Sequence, residues 1–128
     1  MAFFHDLLLT DEALASIRTN KELENAKLSD KDYNLVKNHA LWTIDALYAF
    51  PNRLIGVGDL IRQHHGVANG VGFPEVLHNS NSPLSIVFIS CEAYAVELLK
   101  RKNTKYTHED IVSALGELFK KSKYARII

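Results

Sequence analysis

From Asp30 to about Phe50 the chain carries Tyr33, Val36, Ala40, Ile44 and Leu47 at the i, i+3/i+4 spacing of one buried helical face, and Pro51 supplies the stop. Ser29, with Asp32 three residues on, has the form of a capping box for this helix. Leu35, His39 and Trp42 lie beside the stripe, Trp42 being expected as a core aromatic. A helix with one apolar face needs other elements to cover it, and the rest of the chain is read as those partners.

The remaining segments repeat the helical period. Thr10 can cap a short helix from Asp11 to about Ile17. A segment from about Arg53 to His65 places Leu54, Val57, Leu60, Ile61 and His64 on one side, although Gly56 and Gly58 lower its helix propensity. Ser82 and Pro83 form a cap and first-turn pair for a helix reaching Leu99, with Leu84, Val87, Phe88, Cys91 and Leu98 expected inward. Lys100, Arg101 and Lys102 complement its C-terminal dipole. Thr107 caps the last helix, whose apolar face is Ile111, Leu115, Leu118 and Phe119. No period-2 strand pattern is present, so the expected fold is an all-α bundle of five to six helices in a single domain spanning residues 1–128.

Composition narrows the function. Acidic and basic residues balance at 15 each, which provides no field to concentrate a nucleic acid polymer or a charged membrane. The one cysteine, Cys91, cannot form an internal bridge, so a reducing, cytoplasmic setting is expected. The apolar start is broken at once by His5 and Asp6 and lacks a basic leader, unlike a signal peptide.

Chemistry concentrates in His64-His65-Gly66-Val67-Ala68-Asn69-Gly70-Val71-Gly72-Phe73-Pro74, two adjacent imidazoles before a glycine-containing loop. Neutral imidazole is the commonest protein ligand for a transition metal, and glycines let a phosphate approach the backbone. The plain alternative is one buried, hydrogen-bonded histidine, one solvated histidine and a connector. His5-Asp6, His39 and Cys91 lie on other predicted helices, and metal sites in bundles are assembled from side chains on facing helices. His78, His108 and the cluster Lys120, Lys121, Lys123 and Arg126 read as solvated surface, and Tyr94 as a core aromatic.

These residues together resemble the HD-GYP branch of the HD phosphohydrolases, bacterial enzymes that hydrolyse cyclic di-GMP. The family's His-Asp dyad is similar to His5-Asp6, and its next ligand block to Leu28-Ser29-Asp30 followed by Val36-Lys37-Asn38-His39. Its His-His-Glu, Asp-Gly and Gly-Tyr-Pro elements correspond to His64-His65-Gly66, Asn69-Gly70 and Gly72-Phe73-Pro74, and its metal-binding aspartate on a later helix to Cys91.

The resemblance implies an HD-domain-like bundle lacking the family's N-terminal helices. It implies metal ligands at His5, Asp6, His39, His64, His65 and, weakly, Cys91, with Asp6 as the bridging and catalytic carboxylate and Asn69, Gly70, Gly72, Phe73 and Pro74 as a substrate or partner loop. Iron or manganese is the implied cofactor, with zinc as the choice a thiolate would favour; in the family these ions polarise a phosphodiester and activate water. Leu9 stands where the family has a lysine, and Cys91 where it has an aspartate. Those losses imply a degenerate signalling domain that binds metal, cyclic dinucleotide or both with little or no hydrolysis, and that could also have dispensed with metal. The alternative implied is an active cyclic di-GMP phosphodiesterase. Apolar faces left uncovered by the missing helices imply a homodimer or attachment to another signalling domain in the bacterial cytoplasm.

Overall fold

Ser29, Ser82 and Thr107 each take extended backbone and accept a hydrogen bond from the N–H three residues ahead, at 3.1, 3.1 and 3.3 Å. These caps open the long helices of a computed structural model that describes residues 5–49, 56–122 and 124–125. Among the described residues there are six helices and no strand: α1 (Glu12–Ala15), α2 (Asn20–Asn25), α3 (Asp30–Tyr48), α4 (Val57–Gln63), α5 (Pro83–Arg101) and α6 (His108–Phe119). The fold is an all-α bundle. None of these helices is long and apolar enough to cross a membrane.

Helix α3 is the central element, packed against α1, α2 and α4, while α5 lies against α4 and α6. Val36, Ala40 and Ile44 of the expected stripe are buried. One apolar cluster gathers Leu9, Ile17, Leu23, Val36 and Phe73, and a second gathers Leu77, Ile86, Ile89, Phe119 and Tyr124. Helix α4 bridges the two sides of the molecule. Ile111 and Leu115 of α6 are also buried, as its period requires; the side chain of Leu118 lies outside the described residues, as do Phe50, Pro51, Arg53, Leu54, Lys123 and Arg126.

Several local expectations need correction. His5 and Asp6 stand in a turn, closed by a hydrogen bond from Leu9 N–H to the Asp6 carbonyl at 2.8 Å, and not in a helix. The helix after it is capped by Asp11 rather than Thr10 and ends at Ala15. A separate helix, α2, follows, capped by Thr19 and anchored by the buried Leu23, because the Thr19 side chain accepts from Glu22 N–H. Helix α5 buries Ser85, Ile86 and Ile89, leaving Leu84, Val87 and Cys91 exposed. Its first three turns are apolar on nearly every side, so hydrophobic spacing alone supports two faces, and packing against α4 and α6 selects the second. Trp42 is 42% exposed, lying one position off the buried face defined by Val36, His39, Ala40 and Thr43.

Candidate metal centre

Helix α3 carries His39 on its buried face, one turn after Val36, and the ring is only 2% exposed. His64 is the C-cap of α4 and His65 follows it. Adjacent residues of a continuing helix diverge by about 100°. Here the helix stops, so both rings can turn to the same point. Gly66 enforces the stop with φ +87°, a left-handed conformation that closes helices and that side chains other than glycine resist. Its N–H donates to the Gln63 carbonyl at 2.7 Å, and its own carbonyl accepts from Asn81 Nδ2 at 2.8 Å and His78 N at 2.9 Å.

The three rings meet the dyad carboxylate. Asp6 Oδ1 lies 3.2 Å from His39 Nε2 and 3.4 Å from His64 Nε2. His39 Nε2 is 3.2 Å from His64 Nε2 and 3.0 Å from His65 Nε2. His39 Nδ1 and His64 Nδ1 each lie 2.6 Å from a backbone carbonyl, of Val36 and Ile61 respectively. A carbonyl oxygen can only accept, so both Nδ1 atoms donate and both Nε2 atoms keep their lone pairs for a proton or a metal. Metal-ligating histidines are oriented by a donated bond of this kind.

The arrangement fits a cation better than it fits itself. Asp6 Oδ1 is a buried acceptor that meets no donor in hydrogen-bonding geometry. Nitrogen and oxygen ligands sharing one ion at about 2.0–2.2 Å stand roughly 3.0–3.6 Å from each other, which is the range of the four separations above. Asp6, His39, His64 and His65 offer ligand atoms that all lie within 4.8 Å of one another, close enough to hold a metal ion. Imidazole with a single carboxylate suits a divalent transition metal.

Electrostatics keeps Asp6, His64 and His65 in their ligating forms. Burial opposes ionisation of Asp6, but in the metal-free chain His39, His5 and His64 outweigh it whenever they turn a ring proton toward the carboxylate, holding the carboxyl well below the usual carboxylate range. Burial pushes His64 down, partly offset by Asp6 and the Ile61 carbonyl. Burial, reinforced by repulsion from His64 and His39, holds His65 well below an ordinary imidazole. Metal ligands must be deprotonated, and the folded chain supplies that state for these three at neutral pH.

A second group adjoins the first through Asp6. His5 Nε2 is 3.0 Å from Asp6 Oδ2 and 3.5 Å from Glu92 Oε1, and these three residues also lie within metal-holding distance of one another. Arg18, in the loop between α1 and α2, pairs its Nη1 with Glu92 and sets its Nη2 3.8 Å from Asp6 Oδ2. Cys91, the weak candidate ligand, is exposed and belongs to neither group; Glu92, the next residue, contributes the α5 carboxylate. Sequence reasoning missed both Glu92 and Arg18. Glu92 follows Ile89 by one helical turn and is the first charge in α5, a signal visible once the Ile86–Ile89 face is chosen. Arg18 had no such signal.

The glycine loop acts as a brace in this structure. Phe73 is buried, with its ring 4.5 Å from that of His65, and its backbone N–H and carbonyl are bound by the Asn20 side chain. Gly72 N–H donates to the Lys37 carbonyl at 2.8 Å. Gly70 is buried where a Cβ would stand 2.9 Å from both Arg62 Cγ and Leu41 Cδ2. Asn69 is exposed and closes its own turn by accepting from Val71 N–H, and Pro74 is half-buried near Gly66. Of the expected surface histidines, His78 and His108 are exposed, His108 Nδ1 lying 3.2 Å from the hydroxyl of half-buried Tyr94.

Fold and site together define a helical-bundle domain with a cluster of three histidines and one aspartate able to hold a metal. Comparison with protein families, with curated proteins and with solved structures finds no match to this chain.

Proposed function

We propose that this domain is a metal-centred receptor for a phosphodiester ligand, a cyclic dinucleotide in the first instance, with little or no hydrolysis. The observation that carries the reading is the convergence of Asp6, His39, His64 and His65 at separations that suit one ion. A divalent transition ion held there, with iron or manganese favoured and zinc as the alternative, would supply Lewis-acid attraction for a phosphoryl oxygen. The chain's own residues supply the rest. His39 and His64 are locked by their backbone hydrogen bonds, and His65 is fixed against Phe73. Arg18 places a guanidinium beside Asp6, where its donors can reach phosphate oxygens.

The cyclic dinucleotide itself comes from the resemblance to HD-GYP enzymes at His5-Asp6, His39, His64-His65 and Gly72-Phe73-Pro74. Leu9, standing where that family has a lysine, is buried in the first apolar cluster and provides no charge, which supports binding over turnover. Exposed Leu84, Val87 and Leu99 on α5 support an interaction role, with a second copy or another signalling domain as the partner. Glu92 favours a second reading, hydrolysis of cyclic di-GMP, because it restores to α5 the carboxylate that Cys91 cannot provide.

One experiment tests both. Metal-free protein is reloaded with manganese or iron and titrated with cyclic di-GMP in a calorimeter, and the mixture is then chromatographed. Metal-dependent binding with the ligand recovered intact supports the receptor; conversion to linear dinucleotide or GMP supports the hydrolase. No binding with either metal overturns both.

A further inference from the structure

Asp6 faces two groups at once, and only one of them is short of a cation. Its Oδ1 points into the imidazole cluster, which no lysine or arginine joins by an ion pair among the described residues, the charge of Arg18 reaching His65 only at longer range. Its Oδ2 points toward His5 and, with Glu92, already shares a guanidinium: Arg18 Nη1 pairs with Glu92 Oε1 and Nη2 stands 3.8 Å from Asp6 Oδ2. His5, Asp6 and Glu92 by themselves have the donor types and spacing of a metal site. Arg18 therefore sits against the carboxylates that such a site would use. Arginine keeps its charge at any physiological pH and matches a carboxylate geometrically, so it competes persistently for these oxygens. An ion arriving there would have to displace the guanidinium from Glu92 and then remain close to it.

We propose that Arg18 is the resident second cation of this centre, neutralising Glu92 and the outer oxygen of Asp6 and so restricting the site to a single metal ion. The proposal rests on the reading of Asp6, His39, His64 and His65 as a metal site. It assigns Arg18 a role that sets metal stoichiometry and turns an Asp6-bridged pair of potential sites into one metal beside one fixed guanidinium. That pairing matches a ligand with two phosphate oxygens to place, one toward the metal side and one on the guanidinium fork.

The test is a count of metal per chain. Wild type and Arg18→Gln are stripped, reloaded with manganese, desalted and measured by elemental analysis, with circular dichroism to establish that each is folded. The expectation is one manganese in the wild type and two in Arg18→Gln. The extra ion should disappear in Arg18→Gln combined with Glu92→Gln, and Arg18→Lys should stay at one. Arg18→Met, which keeps the aliphatic stem, replaces Arg18→Gln if the latter does not fold. Two ions in the wild type, or one in both chains, overturns the role of Arg18 while leaving the imidazole site standing. No manganese in either chain overturns the imidazole site and the proposal with it.

Discussion

Replacing Gly66 with alanine should damage this protein far more than its one added carbon suggests. The residue has φ +87°, and an L side chain in left-handed backbone costs roughly 1–2 kcal/mol. The new Cβ would also collide with Leu77 Cδ2 and lie 3.4 Å from Pro74 Cγ. Leu77 is buried with Ile86, Ile89, Phe119 and Tyr124, so it has little room to withdraw. Forcing extra volume into a packed core adds about 1–3 kcal/mol, giving a combined loss of roughly 2–5 kcal/mol. Gly58 is the control, because it lies within α4 with nothing within 4 Å of its Cβ position. Gly58→Ala should gain about 0.5–1 kcal/mol from helix propensity. Urea unfolding at matched pH measures both as shifts in midpoint at constant slope. A Gly66→Ala protein within about 0.5 kcal/mol of wild type, the range of an unremarkable surface change, would refute the claim that this glycine is what ends α4 between the two site histidines and the loop.

Acid should weaken the metal-free protein in a defined window. His64 and His65 are lowered in the fold from an ordinary value of 6.5, so the unfolded chain takes up protons that the folded chain excludes. Their stabilising contribution is present above that value and is lost as pH falls below it, with Asp6 adding to the loss only in much stronger acid. Urea midpoints measured from about pH 7.5 down to about pH 5 should therefore decline, and a flat profile would contradict neutral buried imidazoles. At the other end of the molecule, Thr107→Ala removes the side chain that accepts from Asp110 N–H at the start of α6. It should cost about 1 kcal/mol, read as a lower melting temperature, and no change would mean the cap is replaced by solvent.

The sequence was most informative where one signal dominated. Ser29, Ser82 and Thr107 marked three helix starts because a side chain that accepts the third N–H has few other uses there. The Val36–Ala40–Ile44 face was legible because Lys31, Asn34, Asn38 and Asp45 mark the opposite side as polar, exposed Trp42 being the exception. Helix α5 was not, since Leu84, Val87, Ile86 and Ile89 are equally apolar and only tertiary packing chooses among them. Misreading that face also hid Glu92 behind Cys91. The grouping of Asp6, His39, His64 and His65 was implied by the resemblance to the HD-GYP motifs, with residue type and the helix end at Gly66 in support. Arg18 was not, because its place at the site depends on a loop between two short helices, one of which the sequence did not reveal.

A metal centre here needs four side chains ready to receive one ion, and cobalt reports on them because its visible absorption depends on the ligands around it. Metal-free wild type titrated with cobalt(II) should develop a saturable visible band. That band should be lost in His65→Gln and in His39→Ala, each shown to be folded by circular dichroism. Folded wild-type protein that gains no band at saturating cobalt would mean that Asp6, His39, His64 and His65 do not form a metal site.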